Sequence, residues 1–165
     1  AMRPGAAGLG RAFGMADAPA RHHPVDRAGQ DHLVGADAVA VVDDTARAFI
    51  ERFLPGPVTV VLPAKSCLPE ILTGGTGLIG IRWPDHEVAL AIIARFDSPI
   101  TATSANVSGE KPPSRPGDVH VPHDYLVDDG KLPGTPSTVV DLTTRRILRR
   151  GAEWEAVEAF LKTLR

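Results

Sequence analysis

The chain has 165 residues, enough for one domain with a substantial core, and 43% of them are hydrophobic, as in ordinary globular proteins. A formal net charge of −2 excludes a global basic field that would recruit nucleic acid, so any RNA contact needs a local patch. The single cysteine, Cys67, excludes an intramolecular disulfide and a cysteine-rich zinc site, and its expected role is that of a small buried hydrophobe. No apolar run is long enough to span a bilayer and the N-terminus shows no signal-peptide core, which points to a cytoplasmic protein with no membrane contact.

Residues 1–38 differ in composition from the rest. They hold ten Ala, six Gly, four Arg and three His, but no Lys, no Ile and only two Val. No helical or alternating period persists, so much of this segment is expected to be irregular. Arg21-His22-His23 and Asp31-His32 lack metal-ligand spacing. The apolar run Ala38–Val42 predicts a short strand. Asp43 or Asp44 then caps a helix whose Ala46, Phe49, Ile50, Phe53 and Leu54 form one apolar face, ended by Pro55-Gly56-Pro57.

Val58–Leu62 (VTVVL) reads as a buried strand. After a loop and a helical turn near Glu70–Thr73 comes Gly74-Gly75-Thr76-Gly77. This is no phosphate-binding P-loop, because a strand, Leu78–Arg82, follows instead of Gly-Lys-Ser/Thr. Arg82 at that strand end is either a ligand clamp or a surface residue. Asp85 is the expected cap of the next helix, with Val88, Ala91, Ile92 and Phe96 as its apolar face. His86-Glu87 has no second histidine at metalloprotease spacing, so no metal is assigned. Further on, Ser137–Leu142 and Arg146–Arg149 predict two strands, and Trp154, Val157, Phe160, Leu161 and Leu164 an amphipathic C-terminal helix. Helices alternating with β-branched strands make a mixed α/β architecture around one twisted sheet.

The most informative stretch is Ser98–Pro113. A β-prone run, Pro99–Thr103, breaks into Ser104-Ala105-Asn106 and then Ser108-Gly109. Such a strand end gathers hydroxyls, an amide and free backbone N–H groups, which can hold an anion. Equally, Ser and Asn can simply make the turn by bonding their own backbone.

Five blocks follow one another in order: Phe53–Leu62 (FLPGPVTVVL), Ile79–His86 (IGIRWPDH), Thr103–Gly109 (TSANVSG), Ser137–Asp141 (STVVD) and Ile147–Gly151 (ILRRG). Together they resemble the YrdC family, the threonylcarbamoyl-AMP synthases, over about residues 39–165. The resemblance implies a YrdC-like twisted mixed sheet flanked by helices around a basic cavity. It implies synthesis of threonylcarbamoyl-AMP from L-threonine, bicarbonate and ATP, with release of pyrophosphate and with Mg²⁺ bridging phosphate oxygens. Partner proteins would then transfer the threonylcarbamoyl group to tRNA. By the same resemblance, Ser104, Asn106 and Arg149 contact ATP, while Arg82, Ser137 and Thr138 line the threonine pocket; no catalytic residue is assigned. Guanidinium forks suit both carboxylate and phosphate.

The resemblance fades upstream. The family's Pro-Thr-(Asp/Glu)-Thr-x-Tyr-Gly block and its ATP-gripping Lys-x-Arg motif have no counterpart in residues 1–38, which form an atypical segment ahead of the 39–165 domain. Divergence, truncation, or translation of this segment out of frame would each produce this. Two alternatives therefore stand beside synthesis: a YrdC-like paralogue that binds RNA or nucleotide without synthesis, or an inactive partial protein. Lys111, Arg115, Arg145, Arg146, Arg149 and Arg150 are the candidate basic patch for RNA phosphates.

Overall fold

The protein's structure is a computed structural model that describes residues 13–15, 28–96 and 98–164. A six-stranded mixed sheet runs in the order β4-β1-β3-β2-β5-β6. Its strands are β1 (Phe13–Met15), β2 (Val58–Pro63), β3 (Leu78–Ile81), β4 (Ile100–Ala102), β5 (Thr138–Asp141) and β6 (Arg146–Arg149). Five helices accompany it among the described residues: α1 (Ala28–Val39), α2 (Asp44–Phe53), α3 (Glu70–Thr73), α4 (Glu87–Phe96) and α5 (Trp154–Thr163). This is the mixed α/β sheet with helices that the sequence predicts.

One face of the sheet carries the main core. Val58, Val60 and Leu62 of β2, Ile79 and Ile81 of β3, and Val140 of β5 point to it, and α2 and α5 cover it with Phe49, Ile50, Phe53, Val157 and Leu161. Phe160 stands edge-on to Phe49 and Phe53, with ring centroids 5.4 and 5.7 Å away. Asp43 is the α2 cap, its Oδ1 accepting the Ala46 N–H at 2.7 Å. The apolar period read for α2 is buried throughout, at Ala46, Phe49, Ile50, Phe53 and Leu54.

Four local expectations need correction. The strand expected at Ala38–Val42 is the end of α1 instead, followed by an isolated bridge between Ala40 and Ala64. Leu33, Ala36 and Val39 turn to the core from α1, and Ala40 does so just after it, but Gly29 and Gly35 dilute the period that would have shown it. The α4 face Val88, Ala91, Ile92, Phe96 is not the buried one: Ile93 is buried, while Phe96 is 63% exposed. That helix is apolar nearly all round (EVALAIIARF), so periodicity cannot choose its inner face. His86, rather than Asp85, serves its first turn by accepting the Ala89 N–H on Nδ1. Cys67 is exposed rather than buried. The remaining expectations for residues 1–27, apart from Phe13–Met15, lie outside the described residues; those three residues form β1, between β4 and β3.

Gly151 shows how tightly β6 returns to β5. A Cβ there would lie 2.2 Å from the Pro136 carbonyl oxygen and 2.6 Å from that of Ser137. No rotamer relieves a clash between Cβ and backbone. Gly151→Ala should therefore cost about 1–3 kcal/mol of unfolding free energy in urea titration, as overpacking does elsewhere, with Gly130→Ala as a positive-φ comparison in open space.

Candidate anion-binding site

The opposite face of the sheet carries the polar groups. Successive strand residues alternate faces, so the inward set Ile79, Ile81, Val58, Val60 and Val140 puts Arg82, Thr59, Val139 and Ser137 on the other side. Register aligns several of them. Arg149 pairs with Val139, and Val139 with Thr59. Val60 pairs with Ile81, so one further step along that antiparallel ladder brings Thr59 opposite Arg82. Arg149, Val139, Thr59 and Arg82 thus form one row across β6, β5, β2 and the end of β3.

The loop Pro55-Gly56-Pro57 anchors that strand end. Gly56 donates its N–H to the Trp83 carbonyl at 2.9 Å, and a Cβ on Gly56 would meet the Phe53 carbonyl oxygen at 2.5 Å. Only glycine lets the chain turn there and hold the residue after Arg82.

Hydrogen bonds knit the row together. Arg149 Nε donates to the Ser137 carbonyl at 3.0 Å and Nη2 to Ser137 Oγ at 2.9 Å. Ser137 Oγ is also 2.9 Å from Thr59 Oγ1. Arg82 is the conspicuous member. Among the described residues its buried Nε has no hydrogen-bond partner, and no carboxylate pairs with Arg82 or Arg149. Burial, and after it the positive charge of Arg149, pull the Arg82 guanidinium below its ordinary value. A guanidinium nevertheless stays charged in proteins. Two neighbouring cations and a free buried N–H make a site short of negative charge. An incoming carboxylate or phosphate would satisfy all three.

The site residues expected from sequence divide into three groups. Ser137 and Arg149 are hydrogen-bonded to each other, and Arg82 lies on the same face two strands from β5, near enough for the charge of Arg149 to act on it. Thr138 does not join them: it faces the core at 0% exposure, its hydroxyl donating to the Ala152 carbonyl at 2.6 Å and accepting the Gly151 N–H at 3.0 Å. Neighbours on a strand cannot line the same face, so the expected Ser137-Thr138 pair splits into one site residue and one that ties β5 to the start of α5.

Ser104 and Asn106 form the third group. The last β4 residue, Ala102, lies level with Gly80 through β1, two residues and two strands from Arg82, or roughly 12 Å in sheet geometry. β4 runs away from Arg82, and the Ser104 turn follows where that strand ends, level with Gly80. Ser104 is exposed. Asn106 Nδ2 donates to the Val107 and Glu110 carbonyls, both at 2.9 Å, so its amide makes the turn, while its buried Oδ1 has no partner. Sequence reasoning missed Thr59. The signal was present: one polar residue inside the apolar run VTVVL.

Asp141, at the far end of β5, has a structural task. Its Oδ1 accepts the Thr143 N–H and hydroxyl at 2.8 and 2.6 Å and the Thr144 N–H at 3.3 Å, and its Oδ2 accepts the Thr144 hydroxyl at 2.9 Å. Burial alone would raise this carboxyl, but these bonds outweigh it and leave it below the usual carboxylate range. Among the described residues no group of three or more His, Cys, Asp or Glu side chains could hold a metal ion.

The fold and this row define a class: a mixed α/β protein whose polar sheet face carries two arginines without carboxylate partners among the described residues. Residues 31–151 match the Sua5/YciO/YrdC family, whose domain is described as telomere recombination. The chain belongs to this family. It is 36% identical over 135 residues to the threonylcarbamoyl-AMP synthase of Pyrococcus abyssi, covering 75% of this chain and 39% of that protein. With the enzyme of the same name from Thiobacillus denitrificans it shares 37% over 116 residues, covering 67% of this chain and 61% of the other. A structure of P. abyssi Sua5 complexed with L-threonine superposes with a TM-score of 0.68 at 28% identity, covering 90% of this chain and 43% of that one. Escherichia coli YciO superposes at 0.64 with 26% identity, covering 73% and 62%. The chain thus spans about two fifths and three fifths of the length of these two curated relatives.

A lowered carboxyl stabilises the fold above its unfolded value, about 3.9, and that contribution is lost as pH falls through the lower folded value. Asp141→Asn should therefore lower the melting temperature at pH 7, and its deficit should shrink below about pH 4. Equal deficits at pH 7 and pH 3 would show that the charge carries none of it.

Proposed function

We propose that the protein takes part in the synthesis of threonylcarbamoyl-AMP from L-threonine, bicarbonate and ATP. The observation that carries this reading is the buried, unpartnered Arg82 Nε beside Arg149 and the Ser137 hydroxyl. An amino-acid carboxylate fits that arrangement, since a guanidinium and a hydroxyl both donate to its oxygens. The complex of P. abyssi Sua5 with L-threonine, a solved relative of similar fold, supports threonine as the substrate.

In this reading the threonine amine forms an N–C bond with bicarbonate, a C–O bond breaks, and water leaves to give a carbamate. A carbamate oxygen bonds to the α-phosphorus of ATP, the bond to the β-phosphate breaks, and pyrophosphate leaves. Arg82 orients the carboxylate, and Arg149 contributes positive charge at the same end of the face. The Ser104-Asn106 turn, which follows the end of β4 two strands from β3, is the second contact for an extended nucleotide. Asn106 Oδ1 is an acceptor there, so it suits a hydroxyl or a bound cation better than a bare phosphate oxygen. Mg²⁺ would be carried by phosphate oxygens and would offset their charge, in keeping with the lack of a carboxylate cluster among the described residues. The product suits a cytoplasmic setting, with tRNA-modifying proteins as the consumers of the activated group.

One observation favours an RNA contact as well. Arg145, Arg146, Arg150 and Lys162 border a surface cleft of about 350 Å³ between β6 and α5, with Glu158 as the acid among its lining residues. Arg150 is fixed there by Trp154, whose ring lies 4.3 Å below it, and by Glu158 at 3.3 Å. Arg149, grouped with these by sequence, faces the other way. A tRNA phosphate backbone would bind this cleft with steep salt dependence. Arg146→Ala should lower tRNA affinity and reduce the slope of log K against log salt by about 1, read by filter binding.

The test of the main reading is threonine-dependent release of pyrophosphate from ATP in the presence of bicarbonate. Release should fall by about a hundredfold or more in Arg82→Ala, as expected when a buried charge-assisted contact to substrate is lost. No release by the wild-type chain together with salt-sensitive tRNA binding would favour the RNA-binding paralogue, and threonine-independent release would count against threonine as the substrate.

A further inference from the structure

Thr59 and Ser137 are among the few buried polar side chains, at 3% and 5% exposure, and they touch. Arg149 fixes part of their hydrogen-bond pattern. Arg149 Nη2 is a donor only, so Ser137 Oγ accepts from it at 2.9 Å. The Thr59 hydroxyl lies 2.9 Å from the same oxygen and has no other hydrogen-bond acceptor among the described residues. Either hydroxyl can donate to the other, and both arrangements leave one hydroxyl proton of the pair unbonded, to be donated to something that enters the site. With Thr59 as the donor, Ser137 Oγ accepts twice, which fills both of its lone pairs, and its own proton is the one that remains.

We propose that Thr59 is a positioning residue that sets the polarity of the site: by donating to Ser137 it turns the Ser137 proton toward a bound anionic oxygen. With this polarity the Ser137 hydroxyl and the Arg82 Nε–H face the ligand as donors, and a neutral or donating group meets no acceptor from either of them. This rests on the function proposed above and adds to it the device by which a carboxylate or phosphate is preferred over an uncharged analogue.

The experiment is calorimetric titration of the full chain with L-threonine, with L-threoninol (whose CH₂OH replaces the carboxylate) and with ATP. Thr59→Val keeps the shape and removes the hydroxyl; Thr59→Ser restores the hydroxyl, and Thr59→Ala replaces Thr59→Val should the latter not fold. Thr59→Val should weaken one anionic ligand about tenfold, the loss expected for one hydrogen bond to a charged group. It should leave threoninol almost unchanged, and Thr59→Ser should recover affinity to within about threefold. A loss on threonine assigns the anionic oxygen to the carboxylate; a loss on ATP assigns it to a phosphate; either supports the proposal. In a Ser137→Ala background the Thr59→Val effect should vanish. Unchanged affinity for both anions in Thr59→Val, or no recovery in Thr59→Ser, would overturn the positioning role alone. A wild-type chain that binds neither threonine nor ATP would instead sink the proposed function, and this role with it.

Discussion

The structure turns on one unfavourable placement, a guanidinium pushed into a sheet face beside another guanidinium. Arg82 is partly desolvated, its Nε–H is buried without a partner among the described residues, and Arg149 stands close enough to depress its proton affinity. Left alone, such a pair lowers stability. The surrounding structure keeps it in place by backbone geometry: the Gly56–Trp83 hydrogen bond fixes the strand end, and Arg149 is held by two bonds to Ser137. Unsatisfied charge held rigidly is what a ligand-binding site needs, because the ligand then supplies the missing partner with little reorganisation.

The same view explains why the site is laid out lengthwise. The arginine row sits where β3 and β6 end, whereas β4 runs away from Arg82 and the Ser104 turn follows where that strand ends. Motifs from one family that are adjacent in sequence logic need not converge on one atom of the ligand. Here the arginine row, which includes Thr59 and Val139, and the end of β4, which is level with Gly80, lie at different levels of the sheet.

Much of the fold was legible because its signals are local. The α2 face, the Asp43 cap, the apolar strands β2 and β3, and the C-terminal helix all follow from period and capping chemistry. The failures have physical reasons. In α1, glycines dilute the apolar stripe. In α4, apolar residues on every side leave the inner face undetermined until packing selects Ile93. Thr138 looked like a pocket residue because it adjoins Ser137, but the two-residue period of a strand sends it to the core. Thr59 was passed over because it sits inside an apolar run, and its importance lies in a partner 78 positions away in sequence. Arg82 was readable as a candidate from its place at a strand end; that it lacks a partner is visible only in three dimensions.

The most direct test of the central claim is a crystal structure of the chain soaked with L-threonine. The account predicts that the carboxylate lies within hydrogen-bond reach of Arg82 Nε and Ser137 Oγ, with Arg149 still bonded to Ser137. A threonine bound elsewhere on the sheet face, with Arg82 Nε still unpartnered, would contradict it.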